Sequence, residues 1–173
     1  MKASERRQKI IEILGPITQP ISASQLAKQL GVSRQIIVGD IALLRANHHD
    51  ILSTPKGYLL SPPQYSNQYI GKVVCKHGPS ETEREMLLIV ENGGTLMDVE
   101  VEHPIYGRLT AALAIHSLED ISNFMKKIHH SHAPLLSSLT NGVHLHTIAC
   151  PSQFVFEQIK GALHKEQLLL EEE

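Results

Sequence analysis

Residues 22–37 read Ser22-Ala23-Ser24-Gln25-Leu26-Ala27-Lys28-Gln29-Leu30-Gly31-Val32-Ser33-Arg34-Gln35-Ile36-Ile37. Leu26, Ala27 and Leu30 lie on one stripe at helical spacing, which predicts a helix over Ala23–Leu30 that Gly31 ends in the left-handed conformation. Ser33 is placed to cap a further helix over Arg34–Ala46, with Ile37, Ile41 and Leu44 facing inward. Small Ala27, turn-forming Gly31 and branched Ile37 have the spacing of a helix-turn-helix. Working outward, Arg6–Leu14 carries Ile10, Ile11 and Leu14 at helical spacing and closes on Gly15-Pro16. Ile51–Leu60 reads as strand, Pro55-Lys56-Gly57 turn and strand, the wing of a winged helix.

The third helix is the one expected in a major groove. Its first residues, Ser33, Arg34 and Gln35, are hydrogen-bonding types without apolar neighbours pointing outward. Lys56 at the wing tip, Arg45 and the Arg6/Arg7 pair are candidates for phosphate contacts. The alternative is a helical bundle that binds protein. One local conflict stands: Gly39 lies in mid-helix, at a cost of about 1 kcal/mol relative to Ala.

The chain has 173 residues, 42% hydrophobic and 20% charged, as expected of one globular domain or two small ones. No apolar run approaches the ~18 residues of a membrane helix, and the charged start, Met1–Arg7, does not read as a signal peptide. Two cysteines, Cys75 and Cys150, make no disulfide framework, and a reducing cytoplasm is the expected location. The net charge of -2 conceals an asymmetry. Residues 1–60 hold 8 basic against 4 acidic groups, while residues 61–173 hold 8 against 14 together with nine of the 11 histidines. A basic unit suited to a polyanion is thus followed by an acidic one suited to a cation or small ligand.

Ser61-Pro62-Pro63-Gln64-Tyr65-Ser66-Asn67 is polar and proline-rich, so the boundary is placed there, with domains at 1–61 and 68–173. The second part predicts strands at about Tyr69–His77, Thr95–Glu102, Arg108–Ile115, Leu135–Leu139 and Val143–Ile148. Helices are expected at Glu81–Glu91, from Ser117 to His130 and over Ser152–Leu168. The order β-α-β-β-α-β-β-α, with tight turns, implies an α+β fold whose mainly antiparallel sheet has helices on one face. The other face is left for a ligand or partner subunit.

His144 and His146 are two apart in a strand and leave the same face. His77 ends the first strand, Ser80-x-x-Glu83 has the capping-box pattern, and Glu85 can point back toward His77. Three imidazoles and one carboxylate suit Zn, Ni or a similar ion, provided the first and last strands are neighbours. The alternative is a set of separately solvated histidines. Cys75 shares the parity of His77 and Cys150 that of His146, so either thiol is placed to approach the cluster or simply to be a small buried residue. His129, His130 and His132 read as a solvated helix end. There is no Gly-x-Ser-x-Gly, phosphate loop or His-Glu-x-x-His.

These marks form a recognisable pair. The helix-turn-helix followed by Asp40-Ile41-Ala42-Leu43-Leu44-Arg45 resembles the winged-helix module of many bacterial repressors. His77 with Glu85, the loop His103-Pro104-Ile105-Tyr106-Gly107 and His144-Leu145-His146 resemble the three-histidine (3H) domain. Together they resemble niacin-responsive transcriptional repressors of the NiaR type, which control NAD biosynthesis and niacin uptake genes. The resemblance implies a homodimer that binds operator DNA with nicotinic acid as co-repressor. It also implies a divalent metal on His77, Glu85, His144 and His146, and an HPr-like C-terminal fold. Gly39 stands where relatives often carry a larger polar residue. His103, Tyr106 and Arg108 are candidates for effector contacts near the metal. Two rival functions remain at this stage: a repressor for which the ion itself is the signal, and a metalloenzyme domain using Glu85 or Glu83 as base.

Overall fold

A computed structural model of the chain describes residues 1–60 and 67–171, so the linker expected over Ser61–Asn67 lies outside the described residues except for Asn67. The chain divides into two compact units, residues 1–64 and 65–173.

In the first unit, helices α1 (Ala3–Leu14), α2 (Ala23–Leu30) and α3 (Arg34–Ala46) precede a hairpin of β1 (Leu52–Thr54) and β2 (Gly57–Leu59). Ser22 caps α2 by a reciprocal pair: its Oγ accepts from Gln25 N at 3.1 Å, and its own N–H donates to Gln25 Oε1 at 2.9 Å. Gly31 ends the helix at φ +65°, and Ser33 Oγ caps α3 by accepting from Ile36 N at 3.3 Å. Ile10, Leu14, Leu26, Ile37, Ile41 and Leu44 fill the core.

Several of the basic residues have partners within this unit. Asp40 is buried on the inner side of α3, and Arg6 reaches it from α1 with Nε–Oδ2 at 2.5 Å, with Arg7 behind at 3.5 Å. A buried carboxylate needs such a partner, so Arg6 is engaged within the unit. Arg45 donates to Ile51 O at 2.8 Å and Ser53 Oγ at 2.6 Å and lies over the Tyr58 ring, tying the end of α3 to the hairpin. The Arg45 side chain nevertheless stays exposed.

The second unit is a four-stranded antiparallel sheet of order β3-β6-β4-β5, formed by β3 (Tyr69–Lys76), β4 (Thr95–His103), β5 (Gly107–Ile115) and β6 (Val143–Cys150). Helices α4 (Thr82–Glu91), α5 (Leu118–His130) and α6 (Gln153–Lys165) complete it. Val73, Leu96, Leu113, Ile115 and Ile148 from the sheet meet Met86, Ile89, Ile121, Phe156, Ile159 and Leu163 from the helices in one core. This is the α+β class expected. Central β6 joins the first strand to the second, so the first and last strands are neighbours.

Two elements differ from the sequence reading. The strand expected at Leu135–Leu139 is a 3-10 turn over Leu136–Thr140, giving the order β-α-β-β-α-β-α. Leu135, Leu136 and Leu139 do not alternate, and Thr140 Oγ1 closes the turn on Ser137 O and, at 2.5 Å, on Val143 O. The last helix stops at Lys165 rather than Leu168. Gln167 turns the chain at φ +59°, after which Leu168 O accepts from Lys76 N at 2.9 Å and Leu170 N donates to Val74 O at 3.0 Å. The tail thereby satisfies backbone groups on the exposed edge of β3, a stronger demand than another helical turn.

Gly71 on β3 lies directly against the Phe156 ring, leaving no room for a Cβ, and that ring also packs on Tyr69 at 5.3 Å. Gly71→Ala is expected to destabilise the second unit by about 1–3 kcal/mol, read as a lower urea midpoint. An unchanged midpoint would show that α6 is not seated by this contact.

Candidate metal centre

The register of β3 on β6 sets Cys75 opposite His144 and Val73 opposite His146, and β4 adds Val99 beside His146. His144 and His146 share a face with Ile148 and Cys150, which belong to the helix-covered core. The cluster therefore lies beneath the helices, not on the open sheet face that the sequence had suggested for a ligand.

His77 follows β3, and Gly78-Pro79 turns the chain through a short 3-10 segment into α4. The expected Ser80/Glu83 capping box does not form; Glu81 Oε2 accepts from Gly78 N at 2.9 Å instead. Glu85, in the first turn of α4, is only 2% exposed and points back onto the strands. Its Oε1 meets His146 Nε2 at 2.8 Å, and its Oε2 meets His144 Nε2 at 3.1 Å and also His77 Nε2. The four residues predicted from two distant segments do converge.

Each imidazole is oriented from behind. Nδ1 of His77 donates to Gly78 O at 2.9 Å, Nδ1 of His144 to Gly142 O at 2.8 Å and Nδ1 of His146 to Asp98 O at 2.7 Å. A carbonyl only accepts, so Nδ1 carries the proton and the inward Nε2 of a neutral ring is a bare lone pair. This back-side hydrogen bonding is how metal-binding imidazoles are held. Burial alone would raise the Glu85 carboxyl, but the charge of His146 and hydrogen bonds from the imidazoles hold it well below the usual carboxylate range. Burial would lower His77 and His146, but contact with Glu85 leaves both above the ordinary histidine value. Unprotonated Nε2 atoms facing a carboxylate set acceptor against acceptor, so the arrangement is satisfied only when the rings are protonated or a cation sits among them. A donor set of three imidazoles and one carboxylate fits Zn or Ni.

Gly142 fastens two of these groups together. At φ +87° its Cα lies against the His77 carbonyl, while its own carbonyl serves both His77 N and His144 Nδ1. Cys75 is the thiol that approaches the cluster: its sulfur lies within 4.8 Å of donor atoms of Glu85 and His144. Burial pushes that thiol far up, and the charge of Glu85 pushes it further. Cys150 instead donates to Ser152 O at 3.2 Å. His129, His130 and His132 are exposed at the end of α5, as a solvated helix end requires.

A cavity of about 60 Å³ opens over the cluster, walled by Met86, Leu96, Val99, Leu113, Phe124 and Leu136. None of His103, Tyr106 or Arg108 lines it. His103 Nδ1 accepts from Ile105 N and Tyr106 N in the β4–β5 turn, Tyr106 is 74% exposed, and Arg108 reaches Glu100 at 3.4 Å. The long β4 and β5 strands carry these groups past the cavity. Sequence reasoning missed Phe124 and Leu136; the first sat in an ordinary helical pattern and the second in a stretch taken for a strand.

In the first unit, Ser33, Arg34 and Gln35 are exposed at the start of α3 as expected, with Ser33 also serving as the cap. The outward face is not free of apolar groups, since Ile36 is 42% and Leu43 51% exposed. Lys56 lies in the turn between β1 and β2, its N–H donating to Thr54 Oγ1 at 3.1 Å.

Comparison with known proteins now adds a second line. Residues 70–172 match the model of the 3H domain, and residues 6–59 match an HTH domain. The chain is 39% identical to "Transcription repressor NadR" of Bacillus subtilis, over 99% of this chain and 97% of that protein. It is 40% identical to "Probable transcription repressor NiaR" of Thermotoga maritima, over 97% of this chain and 95% of that one. The chain belongs to this family of HTH–3H transcription repressors. It is accordingly a DNA-binding regulator and not a metalloenzyme. Among the described residues no helix is long and apolar enough to cross a membrane.

Gly142→Ala is expected to destabilise the second unit by about 1–3 kcal/mol, through its positive φ and the clash with His77. The mutant should also lose order at His77 and His144, visible as shifted imidazole resonances. Unmoved resonances would separate Gly142 from the cluster.

Proposed function

We propose that this repressor senses nicotinic acid in the cavity over the histidine cluster and then binds its operator as a homodimer. The observation that carries the reading is the cavity itself, with apolar walls and a floor of three Nε2 atoms and Glu85. Nicotinate has matching chemistry: a flat apolar ring bearing a carboxylate and a ring nitrogen. Phe124, Leu113 and Leu136 would hold the ring. His77, Glu85, His144 and His146 would hold a divalent metal, Ni or Zn by donor type. When bound, that metal supplies an open coordination position for an anionic or nitrogen donor. The name of the T. maritima relative points the same way.

At the other unit, Ser33, Arg34 and Gln35 would meet base edges, and Lys56 a phosphate. In a dimer the two reading helices must match half-sites about 34 Å apart, so an effector that favours one separation raises operator affinity. The expected coupling is about 1–3 kcal/mol, roughly 5- to 150-fold in a gel shift with and without nicotinate. Binding that follows Ni or Zn and ignores nicotinate would select a metal-sensing repressor instead.

Metal loading has a separate test. Adding Zn or Ni to chelator-treated protein should raise its melting midpoint, and Glu85→Gln should weaken that metal by about 100-fold and abolish the rise. A midpoint indifferent to both ions would remove the metal from the proposal.

A further inference from the structure

Helix α3 buries Ile37, Asp40, Ile41 and Leu44. At 3.6 residues per turn the direction opposite that face falls near Gln35 and Gly39, with Ile36 and Leu43 within about 60° of Gly39. The outermost part of the reading helix is therefore nearly charge-free. Two large apolar side chains, Ile36 and Leu43, 42% and 51% exposed, flank it on the Gly39 side, next to a position with no side chain at all.

Nothing inside the protein accounts for that glycine. A Cβ built at Gly39 meets no atom within 4 Å, and its φ lies outside the left-handed region. At Gly57 and Gly142, by contrast, a Cβ would strike backbone, and at Gly71 an aromatic ring. Alanine at 39 would suit the helix better than glycine. Gly161 in α6 is equally open, but among these two only Gly39 sits between exposed Ile and Leu on a helix that reads DNA. The apolar feature of a major groove is the C5-methyl group of thymine.

We infer that Gly39 lets the α3 backbone approach the base edges closely enough for Ile36 and Leu43 to contact thymine methyl groups. These two side chains then determine sequence preference by apolar contact, alongside the hydrogen-bonding residues at the helix start. The inference rests on the operator-binding reading above and specifies what that binding recognises.

The test uses the full chain and duplexes selected by it from a random library, loaded with nicotinate and Ni or Zn. Enriched half-sites should contain A·T pairs, and replacing their thymines by uracil, which removes only the methyl, should weaken binding about fourfold per contacted base. Ile36→Ala and Leu43→Ala should each erase the thymine–uracil difference at one position. Gly39→Ala should melt no lower than the parent yet bind the selected duplex at least 10-fold more weakly. Equal binding of uracil duplexes, or full affinity in Gly39→Ala, overturns the inference while leaving operator binding intact. A change of oligomeric state in Ile36→Ala or Leu43→Ala, with affinity per dimer retained, assigns the surface to a second copy and also overturns it. Failure to enrich any sequence removes operator recognition and this inference with it.

Discussion

A carboxylate shut away from water among three imidazoles is the constraint on which the second unit depends. Glu85 reaches its place only because α4 starts immediately behind β3, and His144 and His146 reach theirs only because β6 lies between β3 and β4. Burying an unpaired carboxylate is costly, so the segments that supply His77, Glu85 and the histidine pair are held in mutual register by one electrostatic requirement. The backbone carbonyls of Gly78, Asp98 and Gly142 complete the arrangement from outside by fixing each ring. Because Asp98 belongs to β4, the hydrogen bond to His146 also couples the cluster to the cavity wall formed by Leu96 and Val99.

The DNA-reading unit is organised by a second buried carboxylate. Asp40 sits on the inner side of α3, and Arg6 and Arg7 of α1 answer it. Arg45 and the contact between Ile21 and Tyr58 fasten the wing to the same framework. Basic residues that composition alone would assign to phosphate are thus partly structural. The exposed surface of α3 is correspondingly poor in charge: between Arg34 at its start and Arg45 near its end it presents Gln35, Ile36, Gly39 and Leu43.

The parts of this molecule are locally encoded to different degrees. Helices α2 and α3 follow directly from Ser22, Gly31 and Ser33, because caps and a left-handed turn act within a few residues. The β1–β2 and β4–β5 hairpins follow for the same reason. At Leu135–Leu139 the adjacent leucines break the alternation a strand needs, and the Thr140 hydroxyl closes the 3-10 turn instead. The end of α6 was misread because the edge of β3, far away in sequence, draws Leu168–Leu170 into extended pairing.

For function, residue types and spacing were enough to assign a helix-turn-helix, an α+β regulatory unit and the four metal-ligand candidates, since parity along a strand and direction along a helix are local properties. They did not determine that His77 and His144 share a carboxylate, that the cluster faces the helices, or that His103, Tyr106 and Arg108 stand apart from the cavity. Those outcomes depend on strand order and on how far each hairpin extends. Both are consequences of packing between segments dozens of residues apart, where no local rule along the chain applies.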